Sequence, residues 1–224
     1  TGARIDSLTQ PEWERMAVLN LTCRDELGVE CRRSLVVEMM GRAANVVLCD
    51  EDGRIIDCLR RVDFGEESYR RLLPGMIYKY PQRPAKPCFF AVSGEERARL
   101  LAGAPRDAEP SGWLLDTFSA LSPLIAREIS ARAGGAFDRL GDAMDAVAES
   151  AAAMELTPVL LKVDGKAKDF SFMRITQYGA SAENTVYGSF SELLDAFYAQ
   201  RDRAERMRRA SHDTVKAVRT LRDR

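Results

Sequence analysis

Four prolines, Pro74, Pro81, Pro84 and Pro87, crowd residues 73–87 of this 224-residue chain. Each fixes φ and removes a backbone N–H, so no strand ladder or helix can run through the segment. It must be an ordered loop or a linker. The apolar pattern differs on its two sides. Before it the period is two: residues 4–8, residues 15–23 with Ala17, Leu19 and Leu21, and residues 34–40 with Leu35, Val37 and Met39 on one face. Residues 45–49 and 55–62, joined through Asp50-Glu51-Asp52-Gly53, have the form of a hairpin. An antiparallel sheet is expected.

Beyond the prolines, residues 94–155 carry helical signals. Ser122-Pro123 pairs a capping hydroxyl with a proline tolerated in the first turn, which predicts two short helices, residues 113–120 and 123–133, with a tight corner between them. Gly134-Gly135 stops the second. Phe137, Leu140, Met144, Val147, Ala151 and Met154 then recur at three- and four-residue spacings, one face of a third helix ended by Pro158. Residues 159–163, Asp164-Gly165 and residues 170–176 predict a second hairpin, expected to rejoin the first sheet. Ser189 and Glu192 form a capping-box pattern with no Pro or Gly between them and Arg224, so one long helix closes the chain. In it Phe197, Ala204, Ser211 and Val218 repeat every seven residues with Met207 and Leu221 as companions, which suggests the first strand of a coiled coil. The expected class is α+β: a β-rich domain (residues 1–92), a helical region (93–156), a hairpin (157–188) and the start of a coiled-coil arm (189–224).

An apolar content of 46% supports a packed core without disulfide or metal. Lys+Arg of 33 against Asp+Glu of 34 leave a net charge of −1, which excludes a global basic field, so any RNA contact must be local. Cys23, Cys31, Cys49, Cys58 and Cys88 are odd in number and none has zinc or redox spacing; reduced thiols of a cytoplasmic protein are the simplest interpretation. No apolar run approaches the roughly 18 residues of a membrane span. The chain opens on Thr1 without Met, as a fragment would. No phosphate loop, dinucleotide turn or nucleophile elbow occurs, and the sole histidine, His212, lies in a charged helical stretch. No catalytic residue, metal ligand or cofactor site is expected, and therefore no enzyme.

Four stretches together resemble the amino-terminal module of the NFACT family. They are Val37-Glu38-Met39-Met40-Gly41-Arg42-Ala43-Ala44-Asn45-Val46-Val47-Leu48, continued by Asp52-Gly53-Arg54-Ile55-Ile56-Asp57 and Arg61-Val62; Leu73-Pro74-Gly75-Met76-Ile77-Tyr78; Ser122-Pro123-Leu124-Ile125-Ala126-Arg127-Glu128-Ile129, similar to the family's helix-hairpin-helix segment; and Ser189-Phe190-Ser191-Glu192-Leu193-Leu194-Asp195-Ala196-Phe197-Tyr198, similar to its entry into the coiled-coil arm. Their order spans nearly the whole chain. The resemblance implies an antiparallel sheet or sandwich similar to the amino-terminal fold of formamidopyrimidine-type DNA glycosylases, without those enzymes' catalytic amino-terminal proline. It also implies a factor of ribosome-associated quality control that binds the large ribosomal subunit holding peptidyl-tRNA and recruits charged tRNA, alanyl-tRNA in bacteria, for mRNA-independent tailing of the stalled chain. The family's older name implies an alternative, a fibronectin-binding surface adhesin.

The family's tRNA-binding Asp-Arg pair follows a Gln-Pro turn, and Gln10-Pro11-Glu12-Trp13-Glu14-Arg15 matches it with Glu14 in place of the aspartate. Arg15 offers a planar fork to a phosphate or base edge, and Glu14 can orient it or accept from an exocyclic amine. The plainer alternative is a surface ion pair opening a strand. For Glu38, Gly41, Arg42 and Asn45 two roles stand, RNA contact or a turn with unusual dihedrals. Arg201, Arg206, Arg208 and Arg209 belong to a basic stretch that suits rRNA phosphates or a solvated coiled-coil flank equally.

Overall fold

A tight turn at Asp25 organises the first part of the chain. Its carboxylate Oδ1 accepts from Leu27 N and Val29 N, both at 2.9 Å, while Gly28 takes the left-handed φ of 80° that the turn requires. The computed structural model describes residues 2–63, 70–82 and 85–222, without side chains at 204 and from 209 onward. Two compact units divide the chain, Thr1–Ala85 and Lys86–Arg224. The boundary falls inside the proline-rich stretch rather than at residue 92, because Cys88 bridges Ser119 and Phe89 is buried in the core of the second unit.

The first unit is a five-stranded antiparallel meander in the order β1-β2-β3-β4-β5: β1 (Arg4–Thr9), β2 (Met16–Arg24), β3 (Glu30–Glu38), β4 (Asn45–Cys49) and β5 (Ile55–Cys58). The Asp25 turn sets Arg24 opposite Glu30. It therefore extends β3 back through polar residues that the apolar pattern left out. Period two puts Met16, Val18, Val36, Val47, Cys49 and Ile55 on one buried face, and Leu72 joins them from the following loop. β5 ends at Cys58, short of residue 62, because the chain beyond it pairs with that loop instead, where Val62 bridges Leu72.

In the second unit the first three α-helices start at side-chain caps. Helix α1 (Gly94–Ala102) begins where Ser93 Oγ accepts from Glu96 N at 3.2 Å. Helix α2 (Pro110–Thr117) starts three residues before position 113 because the Glu109 carboxylate caps it, accepting from Ser111 N and Gly112 N ahead of the first-turn Pro110. Helix α3 (Pro123–Arg132) is capped by Ser122 and ends in paired bonds, Gly134 N to Ala131 O and Gly135 N to Ser130 O, with Gly134 at φ 66°. Helix α4 (Leu140–Ala152) ends in the same pattern, yet there the left-handed position belongs to Met154, at φ 56°. Phe89, Leu114, Phe118, Ile129, Leu140, Met144, Leu161 and Ile175 fill the core between these elements.

The hairpin expected to rejoin the first sheet does not do so. β6 (Val159–Val163), β7 (Lys166–Ser171) and β8 (Ala182–Val186) form a separate antiparallel sheet in the order β7-β6-β8. Both edges of β6 are occupied and Val159, Leu160 and Leu161 are wholly buried, so this strand has no free ladder to offer. β7 also lies nearer the turn than residues 170–176. The turn at Asp164-Gly165, with φ of 51° and 72°, sets Val163 against Lys166. The last helix, α5 (Phe190–Arg222), is capped by Ser189 through Glu192 N, and the Glu192 carboxylate reaches back to Gly188 N at 3.1 Å. Buried Leu193 and the stacked edge of Phe197 on Phe170, ring centroids 5.1 Å apart, anchor its first turns to the sheet. The side chains of Ala204, Ser211, Val218 and Leu221, on which the heptad expectation rests, lie outside the described residues. Among the described residues no helix is long and apolar enough to cross a membrane, and no cluster of three His, Cys, Asp or Glu stands ready for a metal.

Candidate nucleic-acid interface

The turn before β2 is built by its own residues. Glu14 N donates to Pro11 O at 3.0 Å and Gln10 Nε2 to Glu14 O at 2.8 Å, closing a loop whose third position is Trp13. Trp13 sits there at φ 59°, in backbone normally left to glycine, and the residue is 47% exposed. Arg15 follows immediately and is tied to the sheet by its carbonyl, which accepts from Met39 N at 2.8 Å. That bond fixes where the Arg15 backbone lies. The side chain is exposed, and among the described residues its guanidinium has no hydrogen bond or ion pair. Glu14 is half-buried and does not pair with Arg15, so the orienting contact expected between them is not formed here.

Antiparallel register gathers more cations at the same end of this sheet. Met16 opposes Glu38, and Glu38 opposes Asn45, so the start of β2, the end of β3 and the start of β4 lie side by side. Between β3 and β4 a short 3-10 turn, Gly41–Ala43, presents Arg42; Gly41 has φ 58° and open space where a Cβ would sit. β5 pairs with β4 and brings Arg60 and Arg61 to that end, with Arg60 Nη1 donating to Arg42 O at 2.7 Å. Arg15, Arg42, Arg60 and Arg61 are all exposed. Arg61 has only a weak exposed pair with Asp57 at 3.9 Å. A chain of net charge −1 thus concentrates four guanidinium groups locally. Sequence inspection missed Arg60 because only strand pairing brings it near Arg42.

Glu38 and Asn45 of the same motif have a different part. Glu38 is buried and accepts Arg70 Nη1 and Nη2 at 2.6 Å each and the Tyr78 hydroxyl at 2.7 Å. Burial, and then the bond given to Glu38, push the Tyr78 phenol far above its ordinary range. Asn45, also buried, donates to Arg60 O and accepts from Arg60 N and Val46 N. RNA cannot reach either side chain. Their work is to hold the loop after β5 against the sheet, which in turn positions the backbone of Arg60.

On α5, Arg201, Arg206 and Arg208 are exposed, and the side chain of Arg209 lies outside the described residues. In the second unit Glu128 is wholly buried and accepts four bonds, from Arg132 Nε, Thr176 N, Thr176 Oγ1 and Gln177 N at 2.8–3.0 Å. It fastens the segment ahead of β8 to α3, a structural role. Exposed guanidinium groups without carboxylate partners can neutralise phosphates and stack on bases.

The chain as a whole is similar to known proteins. Residues 1–224 match a family described as NFACT N-terminal and middle domains. The protein named Rqc2 homolog RqcH of Bacillus subtilis (strain 168) is 31% identical over 219 residues, covering 97% of this chain and 38% of that protein. Its namesake in Streptococcus suis (strain 05ZYH33) is 26% identical over 218 residues, covering 97% and 36%. This chain therefore spans less than two-fifths of either relative. Among solved structures, the fibrinogen binding protein from Staphylococcus aureus superposes with a TM-score of 0.72 at 27% identity, over 88% of this chain and 71% of that one. The N-terminal part of the fibronectin/fibrinogen-binding protein from Streptococcus suis gives 0.67 at 26%, over 89% and 68%.

Proposed function

Because the chain belongs to the family of NFACT N-terminal and middle domains, we propose that it is the tRNA-binding module of a cytoplasmic factor for ribosome-associated quality control. In this proposal the factor binds a separated large ribosomal subunit that still carries peptidyl-tRNA. It recruits charged tRNA, alanyl-tRNA in a bacterium, so that the stalled chain grows without mRNA. Peptide transfer belongs to the ribosome, and no residue of this chain acts as a catalyst. The fold analogy to formamidopyrimidine-type glycosylases, the helix-hairpin-helix character of α2 and α3, and the continuation of α5 into a coiled-coil arm are parts of the same proposal.

The observation that carries it is Arg15, an exposed guanidinium without a carboxylate partner among the described residues, at a sheet end that also presents Arg42, Arg60 and Arg61. Arg15 grips a phosphate or base edge of the tRNA, Glu14 accepts from an exocyclic amine, and the other three neutralise neighbouring phosphates. Arg201, Arg206, Arg208 and Arg209 on α5 contact rRNA of the large subunit. The names of the two relatives, both Rqc2 homolog RqcH, support the assignment at family level.

The test is recovery of the tagged protein from cell lysate. The wild type is expected to bring large subunits and a narrow set of tRNAs, and the double variant Glu14→Ala, Arg15→Ala to keep the subunits and lose the tRNA. Recovery of tRNA at wild-type level by the double variant overturns the site. A second proposal, adhesion to fibronectin, draws on the names of the two similar structures. It requires export, and five free cysteines suit a reducing compartment better. Saturable binding of the purified chain to immobilised fibronectin, with no subunits recovered from lysate, would establish it in place of the first.

A further inference from the structure

Cys23 on β2 and Cys31 on β3 face each other directly across the ladder, and their sulfurs are 3.2 Å apart. Directly opposed residues of an antiparallel pair have Cα separations of about 4.5–5.5 Å, inside the window that a disulfide spans without backbone movement. Both side chains are half-buried, within reach of a small solute. The other three thiols lack this arrangement. Cys49 is buried in the core, Cys58 donates to Leu72 O at 3.3 Å, and Cys88 lies in the other unit. The Asp25 turn, with its two side-chain bonds and Asp25 N to Val29 O at 2.9 Å, holds the two strands in this register. The thiols therefore meet in the folded protein without a search. Arg33, two residues beyond Cys31, brings positive charge to the pair.

We propose that Cys23 and Cys31 form a thiol oxidation site, which hydrogen peroxide converts to an intramolecular disulfide across β2 and β3 and which a low-molecular-weight thiol reduces again. The proton shared with Cys31, and then burial, raise the Cys23 thiol above its usual value, while Arg33 pulls the other way. Either sulfur can attack first with the same product; Cys31 serves as the example. Its thiolate attacks one oxygen of the peroxide, the O–O bond breaks, and the departing hydroxide takes up the thiol's proton as water, leaving a sulfenic acid. The Cys23 sulfur then attacks the Cys31 sulfur. An S–S bond forms, the S–O bond breaks, and the hydroxyl leaves with the Cys23 proton as a second water. Two thiols give up two electrons and two protons, and one peroxide becomes two waters. Because the strands are already paired, the bond closes the hairpin at its tip and leaves the register unchanged. The site is independent of the proposed RNA contact and stands or falls separately from it.

The experiment treats the reduced 224-residue chain with hydrogen peroxide, blocks remaining thiols with an alkylating agent under denaturing conditions, and maps the peptides. The expected product is a monomer that has lost two hydrogens, with Cys23 and Cys31 in one linked peptide, three cysteines alkylated, and all five alkylated again after dithiothreitol. Cys23→Ser and Cys31→Ser should each abolish the linked product, and mapping of the wild type decides the matter even if a variant folds poorly. Alkylation of Cys23 and Cys31 to the same extent as Cys88 after peroxide would overturn the proposal. So would linkage only between chains, or conversion of either residue to a sulfinic acid without a disulfide.

Discussion

The carboxylate of Glu38 and the guanidinium of Arg70 meet fork to fork, Nη1 on Oε1 and Nη2 on Oε2, each at 2.6 Å. Glu38 is fully buried and the Arg70 side chain retains 11% of its exposure, so water does little to screen the pair. Removing one partner strands the other's charge in the interior. Arg70→Met is expected to destabilise the protein by about 3–5 kcal/mol, seen as a fall in the urea midpoint at constant slope. Tyr78→Phe deletes a single bond to the same carboxylate and should cost about 1.5–3 kcal/mol. Equal losses in the two variants would show that the ion pair contributes nothing beyond an ordinary hydrogen bond.

Glu128 titrates in a revealing direction. Burial disfavours its charge, yet the bonds from Arg132, Thr176 and Gln177 outweigh that and hold the carboxyl below the usual carboxylate range. A folded-state value below the unfolded one means that the contribution is complete above the unfolded value, about 4.3, and drains away as pH falls through the folded value. Urea midpoints measured from pH 7 down to pH 3 should fall less steeply in Glu128→Gln than in the wild type. At pH 7 the variant should be less stable by about 3 kcal/mol, since an amide cannot accept all four bonds.

Met154 follows α4 with φ at 56° and is 75% exposed, so little packing holds it in that conformation. The left-handed region costs a side-chain-bearing residue about 1–2 kcal/mol, part of which glycine returns through its freer unfolded chain. Met154→Gly should raise stability by about 0.5–1 kcal/mol. A lowered thermal midpoint would count against this account of the helix end.

Arg42 is exposed, and among the described residues its side chain has no bonded partner. Arg42→Ala should leave stability within about 0.5 kcal/mol of the wild type. If it neutralises a phosphate in the proposed complex, the slope of log affinity for tRNA against log salt should shrink by roughly one, for any tRNA sequence tested. An unchanged slope would remove Arg42 from the interface.

Much of the fold was legible because burial imposes a period. β4 and β6 fall where alternation or an apolar run put them, and Ser122-Pro123, Gly134 and Ser189 mark helix ends with the bonds that such residues make. β8, with the sequence Ala182-Glu183-Asn184-Thr185-Val186, escaped notice because it is polar. It is held by the ladder to β6 and by Asn184, whose side chain clasps both N and O of Ile175. The apolar weight of residues 170–176 drew β7 too far along the chain, whereas a two-residue turn sets it closer. In the proposed site, Glu14 and Arg15 were singled out by their place after Gln10-Pro11. The burial of Glu38 was not foreseeable, since its partner Arg70 lies 32 residues away.

Trp13 breaks the rule that the other tight turns of its sheet obey, for those at Gly28 and Gly53 put glycine in the left-handed position. Holding an indole there stores about 1–2 kcal/mol of backbone strain, clamped by the Gln10 side chain on one flank and the Arg15 carbonyl on the other. The sheet thus carries a loaded spring at its rim, beside the arginine on which the proposed binding turns. Glycine at position 13 would release that tension and at the same time strip the rim of its one large ring next to Arg15, so robustness and surface chemistry pull in opposite directions at this corner.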